Sequence, residues 1–83
     1  MVHPKLDVTA SCRGAAAGAA EAKATMQRCL DSEQQSRDQA VKRWLDFAPA
    51  DRTNCTKVIS TFEPTYSELL TCLEMAQDLK KGN

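Results

Sequence analysis

The sequence predicts a small all-α domain of three main helices, hairpin-like and stapled by two disulfides. Three observations carry that expectation. Apolar residues recur at three- and four-residue spacing rather than alternating, which marks helices and not strands. Thr65 and Glu68 form a T-x-x-E capping box ahead of the best-marked helix. The four cysteines fall into two pairs, Cys12/Cys29 and Cys55/Cys72, and each pair encloses sixteen residues. With 83 residues the chain is one domain. A chain this short buries only about 60–65% of the surface its unfolded form exposes, so its apolar core is marginal, and many such chains add a disulfide, metal or subunit staple.

Residues 1–11 read as a loose N-terminal arm, and residues 12–81 as the helical domain. Asp7 is placed to cap a helix entering "VTASCRGAAAGAAEAKATMQRCL". Gly14 and Gly18 each cost about 1 kcal/mol against alanine within a helix, so the helix should weaken or bend near Gly18. The longest helix is expected from about Ala20 to Phe47. Met26, Leu30, Ala40, Val41, Trp44 and Leu45 lie near one stripe of it. Its centre, "DSEQQSRDQ" from Asp31 to Gln39, has no apolar residue and should be solvated. Glu33 and Arg37, four residues apart, would support it as an ion pair of about 0.2–0.5 kcal/mol. Asp31, Glu33, Arg37 and Asp38 on this belt are the candidate binding surface. Without a partner the same belt is an ordinary wet helix face.

Pro49 suits the first turn of a second helix, where its missing N–H is not needed, and Asp51 suits the positive helix start. Cys55, Val58, Ile59 and Phe62 keep helical spacing to about residue 60. Glu63, preceding Pro64, is pushed out of helical geometry and ends that helix. The third helix carries Tyr66, Leu69, Leu70, Leu73 and Ala76 as its stripe, flanked by Cys72 and Leu79. Lys80, Lys81 and Gly82 fit its C-terminal end.

Seventeen residues of straight helix span about 25 Å, whereas a disulfide needs Cα atoms within about 7 Å. Neither cysteine pair can close unless the chain reverses between its members. Between Cys55 and Cys72 the reversal falls at "FEPT", midway. Between Cys12 and Cys29 it would fall near Gly18. Cys55–Cys72 with Cys12–Cys29 is therefore the favoured pairing. A crossed pattern (Cys29–Cys72 with Cys12–Cys55) and a nested one (Cys12–Cys72 with Cys29–Cys55) remain open, and Pro64 argues against the nested one.

Eleven Lys and Arg balance eleven Asp and Glu. No clustered positive charge is available to displace counterions from phosphates, which disfavours nucleic acid as a partner. "GAAAGAA" is too short and too weakly apolar to span a membrane. The G-x-x-x-G of Gly14 and Gly18 reads as close packing of water-exposed helices or as chance. No tight C-x2–4-C pair favours zinc, and neither C-x-x-C-H nor C-x-x-C is present. The sole histidine, His3, lies in the arm, where it serves no hydrolytic triad; copper or nickel held by the N-terminus depends on Met1 being the true terminus. No enzyme, cofactor or metal is expected. Asn54-Cys55-Thr56 matches a glycosylation sequon that matters only in a eukaryotic secretory pathway. Trp44 and Phe47 read as core. The even cysteine count in a short chain favours two disulfides and an oxidising compartment. The N-terminus shows no signal peptide, so a native signal is expected to have been removed and Met1 supplied.

Three stretches, "PKLDVTASCRGAAAG", "CLDSEQQSRDQAVKRWLDFAPADRTNC" and "PTYSELLTCLEMAQD", resemble a group of small, uncharacterised exported proteins of alphaproteobacteria. The resemblance covers about residues 4 to 79 and is most specific from Tyr66 to Met75. Thr65 and Ser67 stand where the group is expected to have Ser and Val, and the segment between Cys12 and Cys29 varies. The resemblance implies a signal peptide and a periplasmic or secreted location, and it implies no activity. The resulting expectation is an exported helical module that binds a protein. The alternative is an intracellular protein responding to thiol redox state or zinc.

Overall fold

The structure, a computed structural model, describes residues 4–61 and 64–81. These form four α-helices and one 3-10 turn: α1 Thr9–Ala16, α2 Ala22–Lys42, the turn Trp44–Asp46, α3 Pro49–Thr61 and α4 Tyr66–Lys81. No strand occurs among the described residues. The expectations placed on Met1, His3, Phe62, Glu63 and Gly82 lie outside them. Two antiparallel hairpins, α1–α2 and α3–α4, are joined where α2 packs along α4. The fold is the all-α, doubly disulfide-bonded domain expected, with four helices instead of three because the chain before Gly18 is a helix in its own right.

Gly18 is a full reversal and not a bend. Its φ is +80°, a left-handed conformation that side chains bearing a Cβ resist. α1 stops just before it, with the Ala17 N–H bonded back to Arg13 O at 3.0 Å. The reversal lays Cys12 beside Cys29, and their Cα atoms are 5.5 Å apart within a disulfide. Cys55 and Cys72 form the second, with Cα atoms 5.7 Å apart. The favoured pairing is the one the chain adopts.

α2 ends at Lys42, earlier than the expected Phe47. Ala48 precedes Pro49, whose ring disfavours helical geometry at the residue before it. The chain tightens into the 3-10 turn and leaves it extended at Phe47, with φ −84° and ψ 147°. A 3-10 turn eclipses residues three apart, so Trp44 and Phe47 both enter the core. Leu45, expected on the buried stripe, is turned out to solvent, and so in part is Val41.

The core joins Ala40, Trp44 and Phe47 to Cys55 and Ile59 of α3 and to Tyr66, Leu69, Leu70 and Leu73 of α4. Pro49 opens α3 as expected. Near its far end the hydroxyls of Ser60 and Thr61 donate to Thr56 O and Val58 O, both at 2.8 Å. The side chains thereby supply donors to carbonyls of the last turns.

The arm expected to be loose is, from Pro4 onward, held in place. The Leu6 N–H donates to the Tyr66 hydroxyl at 2.8 Å, which itself donates to Pro4 O at 3.4 Å. Leu6 and Val8 pack on the core. α1 begins at Thr9, so the boundary placed after residue 11 falls inside a helix. The N-cap position of α1 is Val8, one residue later than the Asp7 expected there, but the Asp7 carboxylate still accepts the Thr9 N–H at 3.0 Å.

Candidate functional site

The structure splits the polar belt of α2 between two faces. Residues 31 and 38 are seven apart, nearly two full turns, and share one side; 33 and 37 share another. Asp31 and Asp38 are exposed. Each is satisfied within its own helix, Asp31 by Gln27 Nε2 at 2.9 Å and Asp38 by Gln34 Nε2 at 3.0 Å. Arg37 lies 3.6 Å from Asp38 instead of pairing with Glu33 as expected.

Glu33 is buried, 6% exposed, and corrects the expectation of a wholly solvated belt. Its Oε1 accepts the Tyr66 backbone N–H at 2.7 Å, and its Oε2 accepts the Ser67 hydroxyl. Both donors sit in the first turn of α4, where free N–H groups and the positive end of the helix dipole favour a carboxylate. The Thr65–Glu68 box is present in its forward half, with Thr65 Oγ1 accepting the Glu68 N–H at 3.1 Å. Glu33 is thus a cap supplied by another helix, and it is unavailable to a partner. The four belt residues do not share one face of α2: Asp31 and Asp38 lie on an exposed side and Glu33 is turned toward α4.

A groove that the sequence did not lead us to expect lies on the far side of α4. It runs between α3 and α4, has a volume of about 620 Å³, and is lined by Val58, Ile59, Cys72, Met75, Ala76 and Leu79, with Thr71 and Glu68. Val58, Met75 and Leu79 are 48%, 62% and 70% exposed. The Cys55–Cys72 disulfide ties its two walls together. At the hairpin's open end Lys80 Nζ meets Asp51 Oδ2 at 2.8 Å. Arg43, just past the end of α2, holds Glu74 Oε2 of α4 through Nη1 at 2.9 Å, with its guanidinium 4.9 Å from the Phe47 ring centre. Glu68 is the groove's one charged lining residue, and its carboxylate has no ion-pair partner among the described residues.

A signal for the groove was present in α4. From Met75 and Leu79 round to Leu70, apolar positions cover roughly 220° at about 100° per residue. One buried face needs little more than about 100°. The surplus is the stripe that α3 and the core leave uncovered.

Fold and site together define a small all-α domain with two disulfides and an open apolar groove. No protein-family model, no curated protein and no solved structure matches the chain. No described helix is long and apolar enough to cross a membrane.

Proposed function

We propose that the chain is an exported binding module that holds an amphipathic helix of a partner protein in the α3–α4 groove. The observation that carries this reading is the exposure of Val58, Met75 and Leu79 along one continuous trough. Burying such a side chain is worth about 1.5–3 kcal/mol, and these three leave most of that unrealised. A groove walled by two helices takes a third helix through apolar anchors spaced at i, i+3 or i+4, and i+7. The carboxylate of Glu68 gives the trough a negative end, so the partner helix carries Lys or Arg beside its anchors. Two disulfides in a chain of this size suit an oxidising compartment such as a periplasm or the cell exterior. The thiol- or zinc-responsive alternative needs thiolates, and no described cysteine is free.

The test is selection of binders from a displayed library of amphipathic helices under oxidising conditions. Selected helices should share apolar anchors with a flanking basic residue. Leu79→Glu should weaken them at least tenfold, Glu68→Lys should reverse the charge preference, and Asp38→Ala should change nothing. Binders indifferent to Leu79→Glu would overturn the reading, as would a chain that covers the groove by dimerising at micromolar concentration.

A further inference from the structure

Sulfur is the most readily oxidised element of the chain, and the fold sorts its sulfur atoms by access. The four cysteines are joined in two disulfides and no described cysteine is free, so none offers a thiolate to an oxidant. Of the three methionines, Met1 lies outside the described residues and Met26, on α2, is half-buried. Met75 is 62% exposed. The indole of Trp44 and the phenol of Tyr66, also electron-rich, are buried. Among the described residues, the thioether of Met75 is therefore the sulfur most open to an oxidant.

The position of that thioether gives its oxidation a consequence. Met75 lines the apolar trough between α3 and α4 together with Val58, Ile59, Ala76 and Leu79. It stands one helical turn from Thr71 and Cys72 on one side and one turn from Leu79 on the other, all of them lining residues. An unbranched thioether adapts its shape to whatever apolar group packs on it. Conversion to the sulfoxide puts a polar, chiral tip in its place. In the free protein the new oxygen is hydrated, so the fold is spared. An apolar anchor seating over Met75 strips that water, and the cost of an unmatched polar group then falls on binding.

We infer that Met75 is a modification site through which a peroxide closes this trough to apolar partners, turning off the helix binding proposed for it, a step that rests on that binding role. The thioether sulfur attacks one oxygen of hydrogen peroxide. The O–O bond breaks and an S–O bond forms. Sulfur is oxidised by two electrons, and the second oxygen leaves with both protons as water. The sulfoxide is the stage that methionine sulfoxide reductases reverse.

The disulfide-bonded protein is treated with hydrogen peroxide, and peptide masses follow oxygen uptake at Met75 and Met26. Met75 should be oxidised severalfold faster, with the helical circular dichroism unchanged. A helix selected on the untreated protein should bind the oxidised protein about tenfold more weakly. Nile red, a neutral apolar dye, reads the trough without any helix and should lose fluorescence on oxidation. Peroxide should change neither signal in Met75→Leu, each measured against the same variant untreated, and should lower both in Met26→Leu. Oxidation of Met26 as fast as Met75 overturns the inference, as does a loss of binding that Met75→Leu fails to prevent. Equal affinity of the oxidised and untreated protein for the helix also overturns it, and leaves the helix-binding role standing. A dye signal lost through Met75 while no helix binds even the untreated protein has the opposite meaning: the oxidation site stands and the helix-binding role falls.

Discussion

Glu33 and Tyr66 are separated by 33 residues, yet the carboxylate of the first closes the helix that begins with the second, accepting its backbone N–H at 2.7 Å. Ser67 donates its hydroxyl proton to the same carboxylate. Ser36, 3.2 Å from the Ser67 oxygen, is then the donor of that next contact. Tyr66 extends the network with its phenol, which holds Leu6 and Pro4. One side chain of α2 therefore fixes where α4 starts, and α4 in turn fixes the N-terminal segment.

Glu33→Ala should accordingly cost about 2 kcal/mol, because it strands a buried backbone donor at a helix start and removes a cap. Glu33→Gln keeps an acceptor but loses the charge facing the helix dipole, and should cost about half as much. Urea unfolding with the disulfides intact measures both, at unchanged denaturant slope. A loss for Glu33→Ala within about 0.3 kcal/mol of zero would mean that water replaces the carboxylate, and the network would then be incidental.

Glu33 also shows why the fold was legible in the sequence and the polar belt was not. Helix identity follows from local facts, including the 3.6-residue period, Pro49 at a first turn and Thr65 before α4, and those facts survive in the structure. The cysteine pairing was legible because a spacing of seventeen residues permits few closures once the turn is placed. A buried glutamate in "DSEQQSRDQ" looks like its exposed neighbours, since what buries it is the first turn of a helix that begins 33 residues away. Leu45 misled for a related reason: periodicity extrapolates α2 through Phe47, and the constraint from Pro49 acts two residues past that stripe. The groove was half visible, as an apolar arc on α4 too wide for one core, but which part of it stayed uncovered depends on how α3 crosses.

The two glycines of α1 and its turn should respond with opposite sign. Gly14 lies within α1, and a methyl group added there would meet nothing within 4 Å, so Gly14→Ala should stabilise by up to about 1 kcal/mol through helix propensity. Gly18 has the same open space but a φ of +80°, and Gly18→Ala should destabilise by about 1–2 kcal/mol. Thermal unfolding of the two variants gives the comparison directly. Equal shifts of the same sign would contradict the left-handed turn.

Asp7 makes the start of α1 sensitive to acid. The Thr9 backbone N–H, then the Thr9 hydroxyl, and the nearby Arg13 charge hold its carboxyl below the ordinary value of 3.8, against a small opposing effect of desolvation. A folded-state value below the unfolded one means that the contribution is fully present above the ordinary value. It is lost as pH falls through the depressed one. Acid should therefore fray Thr9 to Cys12 first, seen as lower amide protection factors there, after correction for the intrinsic exchange rate, below about pH 4, and Asp7→Asn should abolish the pH dependence of that fraying. Asp7 is fully exposed, so the change is confined to this helix end.

The two disulfides enclose loops of equal length, and on loop-closure entropy each contributes about 3 kcal/mol. Their removal should nonetheless have unequal consequences, because the elements they hold differ in what else secures them. α1 is eight residues long and buries only Cys12 and Ala16, and a helix that short does not persist without support. The paired change Cys12→Ser with Cys29→Ser should release α1 to rapid amide exchange and leave Leu69 and Leu73, both fully buried in the main core, still protected. Cys55→Ser with Cys72→Ser cuts the hairpin that contains that core, placing a hydroxyl where the buried Cys55 sulfur was. Protection should then fall across α3 and α4 together, with cooperative unfolding at a lower temperature. Native-state hydrogen exchange on the two double variants reads both patterns, and loss of protection at Leu69 in the first of them would show that α1 is part of the cooperative core after all.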